Sequence, residues 1–329
     1  MKSGKSVLVR GVAAAALLAG SLAATSAAQA ADKVTYLLPA PAFLPAFGPW
    51  QVAKARGYYK AEGLEVTFQS GRGGVDTAKQ IGAGNAPIGG PLGDTPIIVR
   101  PNGIPVKAVA QLGGRSLMNL TVAADAGING PKDLKGKTIT VLSYSDTTYY
   151  ALLGMMASVG LNKNDANIQA AGPTGVWQLF LQGKSQAMAS VPDWTAIALG
   201  RGKKVKIFPA DKYFQSMSQV IVASDKTIAA NPALVKKLVS ATLKGLEAIK
   251  TDPAAAATDY VKAVPRWKGK EGAVIGTFKL YNELVYPGQE KIGVVDAKRL
   301  AALQKFYLKE GFIRKETPVN ELYTNQFVE

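Results

Sequence analysis

Three aspartates stand where strand-like apolar runs end: Asp94, Asp146 and Asp193. Asp193 is followed directly by Trp194, and Asp146 sits in the hydroxyl-rich run Ser143-Tyr144-Ser145-Asp146-Thr147-Thr148-Tyr149. Carboxylates in these places repel a bare inorganic anion and favour a solute carrying an amine, an amidine or several hydroxyls. Phe43, Phe47, Tyr149 and Trp194 add flat apolar surface for an organic body. Arg72, among Gly71, Gly73 and Gly74, would suit an anion, because glycines let the backbone approach one closely. The expected solute is a small heteroaromatic or zwitterionic compound, with an alkylsulfonate second and nitrate last. Plainer roles stand beside these. Asp94, in Pro91-Leu92-Gly93-Asp94-Thr95, and Asp146 both fit helix N-caps. Phe43 and Phe47 fit core cover, and Arg72 fits a surface charge.

What is missing narrows the chemistry further. The 329 residues contain no histidine and no cysteine. The commonest general base and the commonest transition-metal ligand are therefore absent, along with thiolate nucleophiles, disulfides and a lipidated N-terminal cysteine. Carboxylates and lysines could still support catalysis, so composition does not exclude an enzyme. Binding without turnover is the expectation, with no cofactor and no metal.

The first thirty residues look like an export signal. Lys2, Lys5 and Arg10 precede an apolar stretch over Val12–Ala24, and Ala28-Gln29-Ala30 offers small residues at a cleavage site. The stretch is short for a membrane span and is broken by Gly20 and Ser21. Cleavage before Ala31 and release into a periplasm are expected. Without the three leader cations the chain carries 36 Lys and Arg against 23 Asp and Glu, a net +13. The basic residues are scattered, and the dense run Arg201-Gly202-Lys203-Lys204-Val205-Lys206 reads as a solvated turn, so no nucleic-acid partner is expected.

The remaining chain is too long for one ordinary core and alternates strand-like and helix-like segments, the pattern of α/β layers in two lobes. Strands are expected over 34–38, 64–68, 86–89 and 106–110, then 120–123, 138–142, 167–170, 187–190 and 205–208, with 220–223 crossing back. Helices are expected over 49–56, 75–83, 96–100, 147–159, 176–181 and 192–199. From Asp225 onward the chain is almost all helix, with Asn231-Pro232 and Asp252-Pro253 each pairing a capping residue with a first-turn proline.

Residues Trp50–Phe68 are the most distinctive stretch. A helix stops at Gly57, one more turn stops at Gly63, and Leu64, Val66 and Phe68 then alternate onto one face of a strand. The Gly57-Tyr58-Tyr59 and Glu62-Gly63-Leu64-Glu65-Val66 pieces resemble the periplasmic binding proteins for sulfonates, taurine, nitrate and thiamine-precursor pyrimidines. In the same order, Ile81–Gly89 is a loose match in which Pro87-Ile88 stands where the family often has an aspartate. Asp133-Leu134-Lys135-Gly136-Lys137, Val191-Pro192-Asp193-Trp194 and Tyr307–Ile313 are closer ones. The resemblance implies the type II periplasmic binding protein fold, with ligand in a cleft between two α/β lobes. It also implies a role as the monomeric solute-binding component of an ABC importer, partnered by an inner-membrane permease. A sensor or scaffold of the same fold is the alternative. On this reading residues 31–118 begin the first lobe, 119–221 form the second, and 222–329 return to the first. One relative of the family is a pyrimidine synthase that consumes its own histidine, chemistry that a chain without histidine cannot perform.

Overall fold

The computed structural model describes residues 31–328. The expected leader and its cleavage site lie outside the described residues. The chain first runs β1 (Asp32–Leu38), α1 (Gly48–Ala55), α2 (Tyr58–Ala61), β2 (Leu64–Ser70), α3 (Gly74–Gly82), β3 (Ile88–Gly89), α4 (Thr95–Val99) and β4 (Val106–Gln111). It continues through β5 (Asn119–Ala123), β6 (Thr138–Val141), α5 (Thr147–Ala157), β7 (Asn167–Ala170), α6 (Gly172–Leu181), β8 (Ala187–Ser190), α7 (Pro192–Gly200) and β9 (Val205–Pro209). After β10 (Val220–Ser224) only helices follow: α8 (Asp225–Ala230), α9 (Pro232–Thr251), α10 (Pro253–Ala263), α11 (Glu271–Leu284), α12 (Ala297–Lys309) and α13 (Val319–Leu322).

These strands form two five-stranded sheets of the same design, ordered β2-β1-β3-β10-β4 and β7-β6-β8-β5-β9. In each, three parallel strands are followed by an antiparallel one. β10 runs against β3 and β4, and β5 runs against β8 and β9. The chain leaves each sheet from an edge strand, β4 or β9, and enters the other at its antiparallel position. Two crossing segments, 112–118 and 210–219, therefore join the sheets.

Local chemistry explains most element boundaries. Gly57 and Gly63 take φ values of 72° and 74°, the left-handed stops expected on either side of the short α2. Leu64 and Val66 are buried while Glu65 and Thr67 are exposed, the alternation of an edge strand with one covered face. Asn231 accepts a hydrogen bond from the Leu234 amide at 3.1 Å, and Asp252 accepts from the Ala254 and Ala255 amides at 3.0 Å, so both Asx-Pro pairs cap as expected. α6 begins four residues earlier than expected, at Gly172, because Pro173 fits the first turn, where its missing N–H has no partner to lose. The short strand expected over 86–89 forms only at Ile88–Gly89, with Pro87 unable to donate to a ladder. No helix among the described residues is long and apolar enough to cross a membrane.

Candidate functional site

Ligands of open α/β sheets lie beyond the carboxyl ends of parallel strands, where loops lead into helix N-termini. Here those ends belong to β1, β2 and β3 in the first sheet and to β6, β7 and β8 in the second. Loops from both sets enclose a small cavity of about 40 Å³, room for a few waters at most. Its apolar wall includes Leu44, Ala46, Phe47 and Leu92 from the first set and Leu142 and Val191 from the second. Its polar wall is Asp146, Thr148, Asp193, Trp194 and Gln219.

Asp193 and Trp194 are placed by one proline. Pro192 opens α7 directly after β8, so the next two residues occupy its first turn at the strand end. Asp193 is 2% exposed, and neither carboxylate oxygen has a hydrogen-bond partner among the described residues. Burial pushes its carboxyl up to about 7; the Asp193 and Trp194 amides, close by but short of hydrogen-bond geometry, only partly oppose this. The Trp194 indole N–H and the Gln219 Oε1 are likewise buried without partners. Gln219 is held by its other end, donating from Nε2 to the Ala46 carbonyl at 2.9 Å. A buried carboxylate, an N–H and an amide oxygen thus face one cavity with their hydrogen-bonding capacity unused. Leaving such groups unpaired costs about 1–3 kcal/mol each, more for a charge, so they favour a partner brought from outside.

Asp146 is the N-cap of α5, accepting from the Thr148 amide at 2.9 Å and from the Thr148 hydroxyl. It also lines the cavity, so capping and facing the solute are not exclusive. Burial raises its carboxyl above the usual range, opposed by the bonds from Thr148. Asp94 behaves differently from the cap that its sequence suggests. It makes no cap bond to α4 and accepts instead from the Tyr307 hydroxyl of α12 at 2.8 Å. Its second oxygen has no partner among the described residues, and burial carries its carboxyl to about 7, with the Tyr307 bond opposing.

The remaining sequence candidates divide by place. Phe47, Asp146, Thr148, Asp193 and Trp194 come together around the cavity. Thr95 and Thr147 lie beside it, buried, with both hydroxyls unpartnered among the described residues. They converge on Gly74, where an added methyl would lie 3.0 Å from the Thr95 hydroxyl and 3.3 Å from that of Thr147. The Ser145 hydroxyl donates to the Arg72 carbonyl at 3.1 Å, and the Val75 amide donates to the Ser145 carbonyl at 3.3 Å. Loops from the two sheets therefore touch directly on that side. The Ser143 hydroxyl pairs with that of Ser145 at 3.1 Å, and the Ser143 carbonyl accepts from the Asp146 amide at 3.2 Å. The Arg72 side chain is exposed and lines no wall of the cavity, and Tyr149 turns outward against Tyr144 and Tyr150. Phe43 lies in a neighbouring, larger pocket.

Sequence reading missed Gln219, an ordinary polar residue before an apolar run, and it missed Arg299. From α12, Arg299 binds both crossing segments, donating to the Gly114 carbonyl at 2.8 Å, the Ser116 hydroxyl at 3.1 Å and the Ser216 carbonyl at 2.9 Å. It also pairs with Asp211. No local pattern marks an arginine on an amphipathic helix for such a role. Among the described residues no group of three or more acidic side chains is placed to hold a metal ion.

Comparison with known proteins agrees with this geometry. A family model described as "NMT1/THI5 like" matches residues 44–256. The riboflavin-binding protein RibY of Chloroflexus aurantiacus is 25% identical over 294 residues, covering 86% of this chain and 82% of its own. A 4-amino-5-hydroxymethyl-2-methylpyrimidine phosphate synthase of Aspergillus parasiticus is 25% identical over 250 residues, 71% of each chain. Among solved structures, the alkanesulfonate-binding protein SsuA of Xanthomonas axonopodis, bound to MOPS, superposes with a TM-score of 0.72 at 16% identity. That match covers 90% of this chain and 98% of the other. The nitrate-binding protein NrtA of Synechocystis gives 0.70 at 10% identity, over 90% and 87%. These likenesses show that the fold is that of the periplasmic binding proteins.

Proposed function

The chain belongs to the NMT1/THI5-like family, and from that premise we propose that it is the exported solute-binding component of an ABC importer. It captures a nitrogen-bearing heteroaromatic or zwitterionic solute between its two sheets and hands it to an inner-membrane permease, without chemical change. The observation that carries this reading is the Asp193 carboxylate, buried against the cavity with both oxygens unpartnered among the described residues. A positive or N–H-bearing head meets Asp193, a ring carbonyl or nitrogen meets the Trp194 N–H, and a second donor meets Gln219.

The relatives' names support a nitrogen heterocycle, since riboflavin and an aminopyrimidine both set N–H donors beside acceptors on a flat ring. Two carboxylates on the cavity wall disfavour the bare anion of the nitrate-binding neighbour. A cavity of about 40 Å³ cannot hold such a ring, so entry requires the two sheets to part about the crossing segments and close again. The reading of binding without turnover is supported by a sequence with no histidine and no cysteine, which removes the commonest general base and thiolate nucleophiles.

Dye-monitored melting against a panel of nitrogen heterocycles, amines and sulfonates tests the proposal. A solute that binds only the folded state at 100 times its Kd adds about 2.7 kcal/mol of stability. Calorimetry should then give one site per chain, and the recovered solute should be unaltered. Product formed in catalytic amounts, or stabilisation by nitrate alone, would refute it.

A further inference from the structure

A second, mostly apolar cavity lies beside the small chamber, and nothing in the transport reading requires it. We propose that it is a binding site for a planar aromatic anion: a fused or single ring bearing a sulfonate, carboxylate or phosphate. Its volume is about 480 Å³, within the range of pockets that take whole organic ligands. The loop after β1, the helices α6 and α7, and the segment joining α10 to α11 form its walls. Three half-buried aromatics line it: Phe43, Trp177 and Trp267. Three cations line it as well, Arg201, Arg266 and Lys270, and no carboxylate does.

The cations are available. None of the three forms an ion pair or a side-chain hydrogen bond among the described residues. Arg266 is spread over the Phe43 ring, 3.6 Å from its centroid, which orients the guanidinium while leaving its N–H groups free at the edge. The platform is fixed from behind, because the Phe43 carbonyl accepts from the Trp267 indole at 2.8 Å and from the Tyr260 hydroxyl at 2.6 Å. The first turn of α6, at Pro173-Thr174, opens onto the same space without a side-chain cap, adding the positive end of a helix. Flat rings flanked by unpaired cations, with no acid to neutralise them, match an aromatic body with a negative charge at its edge.

Calorimetry and quenching of tryptophan fluorescence test this with naphthalene-2-sulfonate, naphthalene-2-carboxylate and 2-naphthyl phosphate, using neutral naphthalene-2-sulfonamide as the reference. At least one anion should bind with one-to-one stoichiometry and at least roughly tenfold more tightly than the sulfonamide, and the ranking of the three names the head group. Arg266→Gln with Lys270→Gln should weaken it about tenfold, the scale of a lost charge-assisted contact. Arg314→Gln with Lys315→Gln, two exposed cations of the C-terminal loop, should not. If the first pair melts early, Arg201→Gln on an exposed helix end replaces it, with about a threefold loss expected. Equal affinity for the sulfonamide, no binding by any anion, or equal losses in both pairs of variants would overturn the proposal.

Discussion

The chamber and the outer pocket are neighbours, sharing Leu44 as a lining residue, yet their chemistry is opposite. The chamber is lined by carboxylates and no cation, and its lining residues are buried. The pocket carries cations and no carboxylate, and is twelve times larger, about 480 against 40 Å³. The contrast teaches where the net positive charge of this chain matters. Summed over the surface it is a solvated background, but where three cations share one aromatic pocket it becomes a local field. Charge burial also differs. Inside the chamber an unpaired charge is costly, so its carboxylates move toward neutrality. The outer cations keep their hydration and cost little.

The largest effect should come from that cost, which Asp94, buried against Tyr307 and not in the chamber wall, shares with Asp193. Asp193 and Asp94 are both carried to about 7, far above the value they have in an unfolded chain. The folded protein then holds protons that the unfolded chain has lost, so without solute its stability falls as pH rises from about 4 to 7 and levels off above. Each carboxyl contributes about 1.4 kcal/mol per pH unit in that window, or roughly 3 kcal/mol between pH 5 and 8. Urea unfolding at those two pH values should show the loss, and Asp193→Asn should remove about half of it. A flat profile would mean that water reaches and solvates these two acids.

Next in size, Asp193→Asn at pH 8 should cost an amine- or N–H-bearing solute about 3 kcal/mol, some hundredfold in Kd by calorimetry. The same change should not weaken an aromatic anion, because it removes a repelling charge. If both ligand classes lose equally, the two compartments are one site. Trp194→Ala removes a ring that is 3% exposed, and should weaken the chamber solute by about 2 kcal/mol, at least tenfold, in protein that circular dichroism shows to be folded. The smallest effect belongs to the outer rim. Lys270→Gln alone should weaken an aromatic anion about threefold, under 1 kcal/mol, and 0.5 M salt should erase the difference.

Most elements were legible because they rest on local rules. Glycine stops at Gly57 and Gly63, Asx caps at Asn231 and Asp252, and the alternation after Leu64 all act within a few residues. The loops at strand ends were legible too, since a parallel strand followed by a helix leaves its chemistry at one edge. What each loop residue does there was not. Asp94 and Asp146 have the same local signature, an acid before a threonine that starts a helix. One caps its helix, and the other is claimed by Tyr307, 213 positions away.

The sequence by itself determined the α/β alternation, the family likeness, the absence of histidine and cysteine chemistry, and the three acids at strand ends. These follow from residue types and short spacings, on which backbone geometry acts directly. The tertiary structure decided which acids face the chamber, that Gln219 and Trp194 face it with them, and that Arg299 ties the crossing segments. It also gathered Phe43, Trp177, Arg201 and Arg266, which lie far apart in the chain, around one pocket. Such assemblies depend on how whole layers pack, and packing joins residues whose separation along the chain carries no signal of their contact.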